Sequence, residues 1–227
     1  MSRYFLAFDT ATTRTSVALI DGSQTLVEVS HDGATGHGEA LPTLVAEVMK
    51  DISPAELQAI AVGIGPGPFT GLRVGIAYAR SMAWALDISV VGVCTLDALA
   101  RDYLAHVQDY SAQTPGALGD FAVATDARRK EVYWASYSRE GIRRSDPIVI
   151  RSHEISVDLL RIPTVGSGAA LYPQDFTAHI EPLFPTAAAI GQLALEKLMS
   201  GGLISTEPLY LRRPDAVPST SAKMVLQ

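Results

Sequence analysis

A chain of 227 residues with 48% hydrophobic and 19% charged side chains has the composition of one large or two smaller packed domains, which excludes wholesale disorder. Eighteen Lys and Arg against 24 Asp and Glu leave a net charge of −6, the wrong balance for gripping nucleic acid unaided. A single cysteine, Cys94, excludes an internal disulfide and a cysteine metal cluster, and no apolar run reaches the ~18 residues of a membrane span. The opening MSRYFLAFDTAT has too short an apolar run for a signal peptide, so a cytoplasmic protein is expected.

Tyr4 to Phe8 reads as a strand ending at Asp9, and Ser16 to Ile20 as a second. Asp21-Gly22 is a hairpin signal, returning the chain along Thr25 to Val29. A helix is expected from about Glu39 to Lys50, because Leu41, Leu44, Val45, Val48 and Met49 form one apolar stripe. Pro42 fits there if it lies in the first turn. Ile60 to Ile64 is a strand, then comes GIGPGPFTGLRVG, and a helix runs from about Gly71 to Leu86 with Thr70 as its N-cap. Val90 to Cys94 is a strand that buries the thiol, and Leu96 to Val107 is a helix.

After the Gly/Pro/Ser-rich stretch YSAQTPGALGD the order restarts. Phe121 to Thr125 is a strand ending at Asp126, ARRK turns, Glu131 to Tyr137 is a strand, and Pro147 to Ile150 returns after REG. A short helix at Ile155 to Leu160, a strand at Thr164 to Gly166 and a helix from about Thr186 to Met199 follow. The pattern is an internal duplication: an α/β protein of two mixed-sheet halves flanked by helices, residues 1–108 and 109–213, with a loose tail at 214–227.

The glycine-rich loop fails the phosphate-loop tests. Leu72-Arg73 follow Gly71 where a Walker loop needs Lys and Ser or Thr, and Pro66 and Pro68 lack the N–H donors of an anion cradle. The helix after it carries a ridge of Gly71, Gly75, Ala79 and Ala83 with almost no side chain. Gly75 inside a helix costs about 1 kcal/mol against alanine, and close approach of another backbone would offset that. Internal packing against the Leu41–Met49 helix and docking of another chain are the two readings left open. Asp9 and Asp126 each end a first strand; facing one another they would hold a hydrated Mg²⁺, and otherwise each caps a turn. Arg128, Arg129 and Lys130 make a basic hairpin tip, read first as solvated. Among five histidines none are four apart, and HEISV has Val157 where a zinc-protease motif needs its second His, so no zinc site is expected.

The segments FLAFDTATTRTSVAL, AVGIGPGPFTGLRVGIAYARSMAWAL, VVGVCTLDALA, TDARRKEVYWASY and VGSGA, in this order and from Tyr4 to about Arg213, resemble the TsaB family. This is the partner subunit used by bacteria in making threonylcarbamoyladenosine in tRNA. The resemblance implies a duplicated actin/Hsp70-like fold and a chain that is not the catalyst, since the TsaD-type relative carries a metal-binding histidine pair four apart. It implies a partner interface on the two N-terminal helices, with Leu41, Leu44, Val45, Val48, Gly71, Arg73, Gly75, Tyr78, Ala79, Met82 and Ala83 as candidates. Expected partners are a TsaD-type subunit, a TsaE-type ATPase and a second copy through the same helices, with tRNA met only indirectly. Asp9, Thr10, Thr12, Thr13, Gly166, Ser167 and Gly168 are candidate vestigial nucleotide-binding positions, although Ala11 stands where nucleotide-binding members commonly have glycine. No cofactor is firmly implied; ATP or ADP with Mg²⁺ at a subunit junction is the candidate. The rival reading is an ATP-binding enzyme of the superfamily or a glycoprotease-like peptidase.

Overall fold

One strand order is used twice. In the computed structural model, which describes residues 4–33, 35–111, 119–176, 178–202 and 204–212, the first half comprises β1 (Tyr4–Asp9), β2 (Arg14–Asp21), β3 (Gln24–Asp32), α1 (His37–Val48), β4 (Leu57–Gly63), α2 (Phe69–Leu86), β5 (Ser89–Val93) and α3 (Thr95–Ser111). The second comprises β6 (Phe121–Asp126), β7 (Glu131–Tyr137), β8 (Ile148–Arg151), α4 (Val157–Leu160), β9 (Thr164–Val165), α5 (Ser167–Leu171), β10 (His179–Ile180) and α6 (Ala187–Met199). The sheets run β3-β2-β1-β4-β5 and β8-β7-β6-β9-β10, antiparallel across the meander and parallel beyond it. The expected duplication is therefore present strand for strand. The tail from residue 213 and most of the Gly/Pro/Ser-rich stretch lie outside the described residues.

Burial follows position in the sheet. β1 is central, and its YFLAFD is buried along its whole length, as a strand covered on both faces must be. β3 is an edge strand that alternates exposed and half-buried residues. α1 and α2 cover one face of the first sheet, packing Leu41, Leu44, Leu72 and Ile76 with Leu6, Phe8, Val17 and Leu19. The opposite face, Phe5, Ala7, Ile20 and Ala61, is covered by Ala189, Ile190 and Ala194 of α6. α3 in turn packs Leu96, Leu99 and Tyr103 on Phe121, Val123 and Tyr137 of the second sheet. Each half's last helix thus closes the other half's core.

Local details depart from the sequence expectations for identifiable reasons. α2 starts at Phe69 with Pro68 as N-cap, because Leu72 N–H donates to the Pro68 carbonyl; Thr70 lies in the first turn and is not the cap. α1 starts at His37, which moves Pro42 out of the first turn; both Pro42 and Gly38, the residue whose carbonyl it leaves without an amide partner, are exposed, so water can satisfy that carbonyl. β10 and the five-residue α5 fall in a stretch that carries no periodic pattern.

The main correction concerns the small-residue ridge. Gly71, Gly75, Ala79 and Ala83 are all buried in the chain's own interior. A Cβ on Gly71 would run into the Thr10 carbonyl, and one on Gly75 would lie 2.5 Å from Thr10 Oγ1. Thr10 Oγ1 donates to the Gly71 carbonyl at 2.8 Å, so the backbone that approaches this helix is the end of β1, not that of another chain. That contact offsets the helix penalty of Gly75. Gly71→Ala is accordingly expected to lose about 1–3 kcal/mol in urea denaturation, and Gly75→Leu to lose more or fail to fold. Ala77→Leu, on the exposed side of the same helix, is expected to stay within about 0.5 kcal/mol of wild type.

Candidate functional site

Two places bear on the candidates singled out in the sequence: the cleft between the halves, and α2, whose outer surface carries other residues than those expected. The cleft has a volume of about 360 Å³ and is lined by Thr12, Thr13, Thr125, Asp126, Arg128 and Ser167 together with a wall of Pro68, Ala170, Leu171, Leu183 and Phe184. Of the candidate nucleotide-binding positions, Thr12, Thr13 and Ser167 line it. The others do not. Asp9 is only 1% exposed, receives hydrogen bonds from Thr95 Oγ1 and Ala11 N–H at 2.7 Å each, and is packed directly on Gly63. Thr10 is the buried prop of α2. A Cβ on Gly166 or Gly168 would strike the backbone of Ala124 or Thr125, so these glycines serve helix-to-strand packing.

This arrangement does not fit a metal–phosphate centre. Asp126 is committed to its own turn, accepting from Arg128 N–H at 2.8 Å, and Asp9 is buried at the end of β1. The facing-carboxylate alternative is thereby corrected in favour of two turn- and core-capping aspartates. Among the described residues no group of three His, Cys, Asp or Glu side chains could hold a metal. Cys94 is buried and its thiol is pushed up to about 12 by desolvation, so it is not a nucleophile at neutral pH.

The outer surface of α2 is a different stripe from the one expected. Leu41, Leu44, Val45 and Val48 of α1 join the ridge in the first core, and Tyr78 and Met82 are half-buried at its margin. Besides Phe69, Thr70, Arg73 and Arg80, the exposed residues of α2 are Ala77, Ser81, Ala85 and Trp84; the indole is 87% exposed, the most of any large apolar side chain among the described residues. Ala77, Ser81 and Ala85 recur every four residues, forming a second small-residue ridge beside that indole. Arg73 is exposed but engaged: its guanidinium lies 3.7 Å over the Phe69 ring and donates to Tyr210 Oη at 3.1 Å. Tyr210 belongs to a strap, residues 204–212, that sequence reading left without a role. Leu209 N–H donates to Ile64 O, Arg80 binds Thr206 and Glu207, and Arg212 reaches Ala127 and Glu131 across the cleft. The strap seals one margin of α2 and leaves the Trp84 side open.

Two five-stranded sheets of one order, each closed by the other half's last helix, define a duplicated actin/Hsp70-like fold. A family model described as TsaD: tRNA N6-adenosine threonylcarbamoyltransferase matches residues 29–158, more than half of the chain. The chain belongs to the TsaB family within that group. The tRNA threonylcarbamoyladenosine biosynthesis protein TsaB of Escherichia coli is 27% identical over 91% of this chain and 94% of that protein. An uncharacterised protein of Mycobacterium leprae is 40% identical over 95% of this chain, which spans 56% of that relative's length; one of Mycobacterium bovis is 37% identical, with 93% of its length covered. The solved structure of YeaZ from Pseudomonas aeruginosa superposes with a TM-score of 0.72 at 28% identity, covering 92% of this chain and all of that one.

Burial of Asp9 also sets a pH dependence. Desolvation raises its carboxyl from 3.8 to about 6 against the opposing hydrogen bonds from Thr95 and Ala11. The folded-state pKa lies above the unfolded one, so this group's contribution is full below about pH 4 and is lost as pH rises through about 6. Asp9→Asn removes that slope. Its stability relative to wild type is expected to rise by on the order of 3 kcal/mol between about pH 4 and pH 7 in urea titrations; a difference independent of pH would refute the assignment.

Proposed function

We propose that this chain is the non-catalytic subunit of the assembly that forms threonylcarbamoyladenosine in tRNA beside the anticodon, acting in the cytoplasm. It docks on a TsaD-type catalytic subunit and supports that subunit's active conformation; a TsaE-type ATPase joins the assembly. The observation that carries this reading is the open face of α2, where Trp84 stands exposed beside Ala77, Ser81 and Ala85 on a helix whose remaining apolar side chains are already used. An exposed tryptophan flanked by residues that let a backbone come close has the makings of an interface anchor. Pro42, Thr43 and Ala46 on the exposed side of α1 extend the surface toward the ~800 Å² per partner of a standard interface. A second copy would use the same face, so homodimer and heterodimer compete.

The catalytic role falls to the partner because the cleft of this chain has neither a metal cluster among its described residues nor an available Asp9. The isolated chain is expected to give no heat on calorimetric titration with Mg-ATP or Mg-ADP at micromolar concentrations. Saturable binding would move it to the ATP-binding enzymes of the superfamily. For the interface, Trp84→Ala is expected to weaken pairing with the TsaD-type subunit by roughly 2 kcal/mol, about thirtyfold, and to dissolve the homodimer, while urea stability stays within about 0.5 kcal/mol. Co-elution at wild-type affinity would sink the docking face.

A further inference from the structure

We propose that the hollow beside the β6–β7 turn is a contact site for the phosphate backbone of single-stranded RNA. The hollow has a volume of about 680 Å³ and is lined by Arg129, Lys130, Arg151 and His153 together with Tyr172 and Asp175. Three permanent cations and an imidazole on one small surface stand out in a chain of net charge −6. Asp175 accepts from Ser152 Oγ at 2.5 Å and from Gln174, while Arg151 is itself paired with Glu154 at 3.9 Å, an exposed ion pair of the weak kind that a phosphate can displace.

The turn that presents these cations is costly. Arg128, Arg129 and Lys130 are consecutive left-handed residues with φ of 61°, 56° and 63°, a conformation costing roughly 1–2 kcal/mol per residue for anything but glycine. It is held by Asp126, which accepts from Arg128 N–H, and by the Ala127–Glu131 and Glu131–Arg128 backbone bonds. Glycine or asparagine would make the same turn with less strain, so turn geometry does not account for three long cationic side chains here. Arg128 points to the cleft between the halves, and Arg129 and Lys130 to the hollow. Guanidinium forks match phosphate oxygens, and an aromatic ring among them offers a base something to stack on, which favours RNA over an acidic protein segment. The net negative charge elsewhere keeps the contact auxiliary, suited to RNA already held by a neighbouring subunit. This rests on the reading above that the chain works on tRNA within an assembly.

The test is fluorescence anisotropy of the full chain with a labelled single-stranded RNA oligonucleotide, and with a polyglutamate peptide of equal length, over a salt series. Phosphate contacts by Lys130 and Arg151 predict a slope of log K against log salt of roughly −1.4. Lys130→Glu combined with Arg151→Glu is expected to weaken RNA binding at least about tenfold. Arg139→Glu with Arg144→Glu, an equal charge change at residues paired with Glu140 and Asp120, is expected to leave it near wild type. Tyr172→Ala should weaken RNA binding and leave polyglutamate unaffected, with circular dichroism confirming that each variant is folded. Absence of RNA binding, equal loss in both charge pairs, or a preference for polyglutamate would overturn the proposal. Co-elution of the same variants with the TsaD-type subunit is scored separately, so loss of pairing and loss of RNA contact are told apart.

Discussion

The contact between Thr10 and the first two turns of α2 governs the rest of the molecule. β1 delivers a buried threonine to the helix, its hydroxyl donates to the Gly71 carbonyl, and Gly75 leaves room for that hydroxyl. With the helix seated so low on the sheet, Leu72, Ile76, Ala79 and Ala83 are committed to the first core. The rotation of α2 about its axis is thereby set, and with it the side chains that remain outside. Asp9, one residue earlier, is drawn inward by Thr95 and the Ala11 amide and cannot serve the cleft. A single close packing thus withdraws a carboxylate from chemistry and aims a tryptophan at solvent.

Duplication supplies the frame and asymmetry supplies the function. Both halves use one strand order and exchange their last helices, so neither core is complete without the other half. The element between the fourth and fifth strands differs sharply: α2 has 18 residues, while its counterpart α5 has five. Only the first half can present a long helical face. The second half presents a hairpin tip with strained cationic residues and a shallow hollow. Protein partner and nucleic acid would therefore meet different halves of one duplicated scaffold.

The strap at residues 204–212 ties these features together. It bonds to Ile64 beside β4, to Arg73 and Arg80 on α2, and to Ala127 and Glu131 at the two ends of the β6–β7 turn. Orientation of α2 and of the basic turn is thus referred to one segment. An exposed arginine on α2 is for this reason no measure of an open surface, as Arg73 shows by being stacked on Phe69 and bonded to Tyr210.

Sequence alone determined the class of the fold, because its signals are local. Apolar runs ending at Asp9 and Asp126, the Asp21-Gly22 turn and the helical stripe of α1 each depend on neighbours within a few residues. The repeat of that order was legible as a duplication. Which face of α2 looks outward was not legible, since 18 residues that are apolar nearly all round carry two small-residue ridges. Gly71, Gly75, Ala79 and Ala83 went inward because Thr10, 61 residues from Gly71, occupies their groove; Ala77, Ser81 and Ala85 stayed out by default. The same holds for Asp9, whose carboxylate could hold Mg²⁺ or cap a turn when read in one dimension and is buried against Thr95, 86 residues away. Periodicity reports how much of a helix is apolar; only the partner across the core decides which side it buries.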